Sequence, residues 1–318
     1  METALAIIRD TYLDRCDHPV RQTAAWRDII APVFPPNMGT GDKTRPSVML
    51  AGEAGDLGCA LLWIVQAALV RPFLELVRRQ VDLRPDQQSL LSTVSETDCG
   101  ALAHSEPGNN PVIVMADDTG LCLNGVKKYI TAGAQADFIL VTARTPGEDK
   151  VSRTLLLPRN AVTTGEMEIL DLNALRTTSH GRLTMSNKPV PDRYLLPLSP
   201  SLFRKKLKVN GLVERCLIVE SVLACMTYLN RRLTRHFPRP PADETAIKEL
   251  AVLQTAYTTA AVHQAQNDET VNPQWVDLTA VNTAMADICR AADGISPELE
   301  TDIKERINDL RFIRSLWG

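Results

Sequence analysis

Apolar positions along this chain change their period twice. Near the start, Leu5, Ile8, Tyr12 and Leu13 fall at helical spacing and predict a helix over 3–16, with a second over 22–30. Pro32, Pro35, Pro36 and the Gly39/Gly41 pair break that pattern and predict a loop over 37–48. Leu57, Leu61, Ile64, Val65, Leu69 and Phe73 then predict one or two helices over 51–80, and Pro72 suits the start of the second because a first-turn residue needs no N–H. Pro85 is similarly placed to open a helix over 85–94. From 98 to 200 the pattern turns to strands. Phe138, Ile139, Leu140 and Val141 stand together within 136–143, and Thr154–Pro158 reads as a buried strand ending at proline. Thr119-Gly120 and Asn124-Gly125 are turn dipeptides flanked by apolar runs, which predicts a small antiparallel β unit. From Val209 to Phe237 the helical period returns, with Leu212, Cys216, Val219, Leu223, Met226 and Leu233 on one side. Further helices are predicted over 244–266, 276–292 and 298–315, and the loop Phe237–Pro241 separates the first two of the four. Four consecutive helices predict an antiparallel bundle. The fold class is therefore α+β, in three units: helical over 1–97, an antiparallel β domain over 98–200, and a helical bundle over 201–318.

Composition changes this picture little. With 318 residues there is enough chain for two or three domains, and 44% hydrophobic with 23% charged residues is ordinary for a globular protein. A net charge of −3 gives no argument for nucleic acid or an anionic membrane as partner. The seven cysteines show no CxxC pair and no His spacing, which reads as reduced cytoplasmic thiols rather than a disulfide frame or a metal site. No secretory signal is expected from the opening residues. The longest apolar stretch, Cys59–Val70, is short for a bilayer and is interrupted by Gln66, so no membrane span is expected.

The stretch from Cys99 to Thr145 carries a resemblance. Ser105-Glu106-Pro107-Gly108, followed by LNGVKKYITAGAQADFILVTART from Leu123, resembles the middle β domain of the acyl-CoA dehydrogenase family. Leu175–Pro197 is similar to the closing segment of that domain, and DQQSLLSTVSE from Asp86 is similar to the segment preceding it. The resemblance implies a helical, β, helical order, a bound FAD, and α,β-dehydrogenation of an acyl thioester carried by CoA or by an acyl carrier protein. It also implies a homo- or hetero-oligomer assembled through the C-terminal bundle. That reaction needs a carboxylate held dry beside the substrate to take the α proton, with a flavin opposite to accept the β hydride.

The resemblance places that carboxylate in one of two positions. At the late one this chain has Trp317 before Gly318, and an indole cannot abstract a proton. At the earlier one Gly211-Leu212-Val213-Glu214-Arg215 matches, so Glu214 is the candidate base; the alternative is a glutamate capping a first helical turn. Tyr129, Ile130 and Thr131 match the family's flavin-facing strand; an ordinary β strand is the competing reading. Leu102, His104 and Ser105 fall where the other flavin-facing strand is expected, His104 being either an acid/base group or a hydrogen-bonded structural histidine. Arg232 falls in the segment that, by the resemblance, meets the flavin diphosphate and adenosine, partly across subunits. Arg204, Lys205, Lys206 and Lys208 form a basic run that suits a CoA or carrier-protein phosphate, or else a solvated face. Cys216 and Cys225 read as core.

Departures from the family pattern bear on the cofactor. Asn109-Asn110-Pro111 stands where Gly-Ser-Asp is expected, and Arg235-His236-Phe237-Pro238 lacks the Phe-Gly pair. Glycine lets backbone approach a phosphate, whereas proline has no N–H to donate. Three readings follow: a flavin oxidoreductase using Glu214; a flavin-poor, non-catalytic subunit of a mixed oligomer; or the fold reused for non-redox acyl-thioester chemistry around His104.

Overall fold

A computed structural model describes residues 40–80, 82–95, 98–108, 110–117, 120–267 and 275–317. The helices predicted over 3–16 and 22–30 lie outside the described residues. The described elements are α1 (Thr40–Ala54), α2 (Leu57–Ile64), a π turn (Val65–Val70), α3 (Arg71–Arg78), α4 (Pro85–Ser92), seven strands, and then α5 (Pro200–Leu233), α6 (Glu244–Gln266), α7 (Leu278–Gly294) and α8 (Thr301–Trp317). The strands are β1 (Gly100–Ala103), β2 (Ile113–Asp117), β3 (Gly120–Thr131), β4 (Phe138–Ala143), β5 (Arg153–Pro158), β6 (Met167–Ile169) and β7 (His180–Val190).

The loop predicted over 37–48 is overturned from residue 40 onward, because α1 runs through Gly41 and Pro46. Its buried Leu50 and Ala51 and its packing against α5 outweigh the weak local propensity. Gly55, at φ +65°, ends the run, and Asp56 then caps α2 by accepting a hydrogen bond from the Cys59 N–H at 2.9 Å. From Leu57 to Arg78 the chain stays helical, since the π turn absorbs the irregularity before Pro72. The continuous helix is thus longer than the apolar stretch seen in the sequence. By length and composition it is able to cross a membrane, but 83% of its most apolar window is buried within the protein. Gln66, which interrupts that stretch, is buried and clamps the start of β1: its Oε1 accepts from the Gly100 N–H at 3.1 Å and its Nε2 donates to the Gly100 carbonyl.

The strands form two sheets, ordered β1-β4-β5 and β2-β3-β7-β6. The expectation of a purely antiparallel unit needs one correction: β1 runs parallel to β4, with Gly100 opposite Phe138 and Ala103 opposite Val141. All other strand pairs are antiparallel. Asn124-Gly125 is not a hairpin turn. It lies inside β3, where the register against β7 shifts between Leu123 and Gly125. Gly125 has φ +127°, and a Cβ there would collide with the Pro111 carbonyl, so close approach of two backbones explains the glycine. The β2–β3 hairpin closes at the pair Asp117/Gly120, and Thr119 lies outside the described residues.

One core fills the space between the sheets and α3 and α4, with Phe73, Leu123, Ile130, Phe138 and Leu155 each almost fully buried. A second is the bundle core around Val222, Leu223, Met226, Leu229, Val281, Ile288 and Leu310. The helix α5 belongs to both. Its Ser199 cap and Pro200 start it nine residues before the predicted Val209, and Phe203 stacks on Phe73 with ring centroids 5.0 Å apart. It spans about 50 Å at 1.5 Å per residue, so Phe203 near its start reaches the β-side core, its middle packs against α2, the π turn and α6, and its second half is buried in the bundle.

Candidate active site

Two cavities meet along the first half of α5. One is a groove of about 950 Å³ bounded by Val65 and Leu69 of the π turn, Leu102, His104 and Ser105 at the end of β1, Tyr129 and Thr131 of β3, and one face of α5. The other is an apolar chamber of about 450 Å³, walled by Leu57, Leu61 and Ile64, by Leu172 and Leu175, by Ile218 and Val222, and by Phe312, Leu316 and Trp317 of α8. Three residues border both: Tyr129, Thr131 and Glu214.

Local structure explains how they come together. The register of β3 on β7 slips between Lys128 and Ile130, which makes Tyr129 a bulged residue. Its φ is +59°, a strained conformation for an aromatic, and the residue is 53% exposed with the Lys128 ammonium 4.6 Å from the ring centroid. Thr131, at the strand end, sits opposite His180 of β7. Ile130 points the other way and is fully buried in the β core, so the structure does not bring its side chain to the groove.

Glu214 lies about four turns into α5, which removes its reading as a first-turn cap. The residue is half-buried, its carboxyl opening onto the cavities while protein atoms surround it on most sides. Burial pushes its pKa up to about 7, against the opposing Arg215 charge. On the groove face of the same helix, Arg204, Lys208, Gly211 and Arg215 follow at helical spacing. Half of the basic run thus lines the cavity, joined there by Arg144 and Lys150.

The loop after β1 is held by a buried polar cluster. Lys127, with no exposed side-chain surface, donates to Glu106 Oε1 at 2.6 Å, to Thr142 Oγ1 at 3.0 Å and to the His104 carbonyl at 3.1 Å, which uses all three of its N–H bonds. Glu106 also accepts from Arg144 at 2.8 Å and from the Val112 N–H at 3.0 Å. His104 Nδ1 lies 3.1 Å from Thr142 Oγ1. Burial, reinforced by the Lys127 charge, drops its pKa to about 4, so the ring is neutral near pH 7. This is a hydrogen-bonded histidine whose ring borders the groove. The Glu106 of the Ser-Glu-Pro-Gly motif is the anchor of the cluster, a role the sequence reading did not assign.

Arg232 is not brought to the groove. It lies 18 residues beyond Glu214, about 27 Å along the helix, where it pairs with Glu300 and packs over the Tyr228 ring. Trp317, at the family's late position for a base, does reach the chamber that Glu214 borders. Cys216 and Cys225 are buried in the helical cores, and burial pushes both thiols up, Cys216 to about 11. Two chamber residues were missed by the sequence reading: His180 and Ser221. Ser221 stands seven residues after Glu214, hence on the same face of α5, and that spacing was a signal in plain view.

No family model matches the chain, and no curated protein matches it. Solved structures do. The dibenzothiophene monooxygenase of a Paenibacillus species superposes with a TM-score of 0.67 at 14% identity, over 100% of this chain and 92% of its own. A glutaryl-CoA dehydrogenase from Mycobacterium smegmatis, solved in complex with FADH2, gives 0.63 at 16%, over 100% and 90%. The prolyl acyl carrier protein oxidase AnaB gives 0.64 at 14%, over 93% and 90%. The chain has the acyl-CoA dehydrogenase-like fold, shared by flavin oxidoreductases, with helices on either side of a middle β region.

Proposed function

We propose that this protein is an FAD-dependent dehydrogenase of acyl thioesters, the acyl group carried by CoA or an acyl carrier protein, with Glu214 as the base. One observation carries the reading: Glu214 stands with Tyr129 and Thr131 in the boundary between a basic-lined groove and an apolar chamber. The groove fits a flavin in size, in its exposed aromatic side chain at Tyr129, and in the Arg204, Lys208 and Arg215 charges that suit an anionic ligand. Leu102, His104 and Ser105 would line the side opposite Glu214. The chamber suits an acyl chain, because its walls are apolar apart from a few groups.

The reaction is α,β-elimination of hydrogen from the acyl chain. The Glu214 carboxylate takes the α proton, the electron pair left on Cα forms the new C=C bond, and the β hydrogen departs with its pair. A bound flavin supplies the acceptor for that hydride. A carboxyl with a pKa near 7 suits general-base work at neutral pH, since it is both substantially ionised and more basic than a solvated glutamate. The monooxygenase neighbour shows that the fold serves other flavin chemistry; a base at Glu214 is what favours dehydrogenation for this chain. Assembly through the C-terminal bundle belongs to the same reading.

The engagement of Arg232 by Glu300 favours a second reading, a flavin-poor subunit of a mixed oligomer. Incubating the purified protein with FAD, desalting it and recording its visible spectrum separates the two. A stoichiometric flavin spectrum and dye-linked oxidation of a saturated acyl-CoA support the first. A colourless protein that co-purifies with a flavin-loaded homologue supports the second.

A further inference from the structure

The walls of the apolar chamber are joined, behind the faces they turn to it, by one buried charged cluster. Arg306 of α8 lies between two carboxylates, its Nη2 3.4 Å from Asp56 Oδ2 and its Nη1 3.9 Å from Asp309 Oδ2, and all three residues are buried. Each carboxylate also holds part of the segment 170–179, which connects β6 to β7. Asp309 Oδ1 accepts from the Leu175 N–H at 2.5 Å, and Asp56 Oδ1 accepts from the Thr177 hydroxyl. Leu175 is held there at φ +55°, a conformation that a leucine adopts only where its surroundings impose it. The segment lies directly on α2 at Gly58, where a Cβ would collide with Thr177 Oγ1. The chamber's walls follow from these anchors at close range. Leu61 comes five residues after Asp56, Leu172 three before Leu175, and Phe312 and Trp317 three and eight after Asp309. Those four side chains are only partly buried, so their faces, and not the cluster, are what a ligand meets.

A carboxyl at this depth is costly. Burial pushes Asp309 up to about 7, and an apolar side chain would fill the same space without that cost. What Asp309 supplies and an apolar residue does not is an acceptor aimed at one backbone N–H. We propose that Asp309 is a positioning residue for acyl-chain length: through the Leu175 N–H it fixes the 170–179 wall to α8, and so sets how long a chain the chamber accepts. The inference rests on reading the chamber as the place of the substrate's acyl group, and it deepens that reading by naming what limits the substrate's size. Each methylene buried in a cavity strengthens binding about fourfold, but only while the walls leave room. A wall pinned to two helices stops that gain at a definite length, and a wall released from α8 yields and lets it continue.

Straight-chain primary alcohols from butanol to decanol serve as probes, with dissociation constants measured by calorimetry on the full chain. In the wild type, affinity is expected to climb about fourfold per methylene and then level off. In Asp309→Ala the short alcohols bind as before, and an alcohol two carbons beyond the wild-type limit binds roughly tenfold tighter than it does to the wild type. Asp309→Asn, whose amide oxygen still accepts from the Leu175 N–H, restores the wild-type limit. Leu172→Ala also extends the limit, and Asp309→Ala adds less to that variant than to the wild type because both act on one wall. The proposal is overturned by a wild type that binds no alcohol or shows no limit, by an equal limit in Asp309→Ala, by a uniform loss at every length, or by an Asn variant that behaves like the Ala one. Removing Asp309 leaves Arg306 with Asp56, one charge of each sign, so the variant is expected to fold. Should it not, amide exchange in the wild type decides: a Leu175 N–H protected like those of β4 supports a fixed wall, and one that exchanges within seconds overturns it. These readouts need no flavin. A shifted limit in a colourless protein refutes the redox reading alone, and an unmoved limit in a yellow, active one refutes this inference alone.

Discussion

Two glutamates border the same groove and are treated in opposite ways. Glu106, in the loop after β1, receives hydrogen bonds from Lys127, Arg144 and the Val112 backbone. Burial works against its charge, but the Lys127 hydrogen bond and the other donors hold its carboxyl below the ordinary value. Glu214, on α5, has burial and little else, so its carboxyl is pushed up to about 7. The difference is one of donors and of depth together: Glu106 has donors, whereas Glu214 lacks them and is enclosed by more protein. A carboxylate supplied with donors becomes a fixed structural charge, and one deprived of them becomes a base that holds its proton into the neutral range.

The largest effect that tests this contrast is on the structural side. Glu106→Gln leaves Lys127 buried without a full counter-charge, so urea unfolding should show a loss of about 3–5 kcal/mol. A loss below 1 kcal/mol would mean that water reaches the cluster and that the two glutamates are less different than their surroundings indicate. Next comes the pH profile of the reaction. Since Glu214 must be ionised to accept a proton, kcat/KM should rise about tenfold per pH unit below 7 and level off above it. A profile that is flat from pH 5 to 8 would remove Glu214 from the role.

The smallest effect is on stability. Folded Glu214 holds its proton to about 7, whereas an unfolded glutamate releases it near pH 4.3. The folded state therefore binds more protons between those values, and stability declines as pH rises through that window. Glu214→Gln removes the decline. At pH 8 the variant should be more stable than the wild type by roughly 1–2 kcal/mol, a figure discounted for the water the half-buried carboxyl still meets, and at pH 4 the gain should vanish. Equal differences at the two pH values would show that the carboxyl titrates like a solvated one.

Much of the fold was legible because the hydrophobic period is clean where packing follows it. The stripe from Cys216 through Leu233 is buried as expected, and Pro85 opens α4. Errors arose where tertiary contacts overrule local signals. Helix α1 continues through Pro46, and Asn124-Gly125 is a bulge inside a long strand because Pro111 crosses beside it. Six of the residues that motifs named, Leu102, His104, Ser105, Tyr129, Thr131 and Glu214, do line one groove. Ile130 fell out through strand alternation, which a motif match does not weigh. Arg232 lies away from this chain's groove because the helix carries it about 27 Å further on, where Glu300, distant in sequence, pairs with it. Lys127 and His180 stayed hidden for the same reason, since what surrounds them depends on which strands become neighbours.

The account turns on Glu214 as a base between two cavities, and anaerobic mixing tests it most directly. Flavin-loaded wild type and Glu214→Gln are each mixed with a panel of saturated acyl-CoAs while the visible flavin absorbance is followed. The account predicts that at least one thioester bleaches the wild type and that the variant, with the same flavin content, bleaches about 10²–10⁴-fold more slowly. Equal bleaching of both proteins would contradict it.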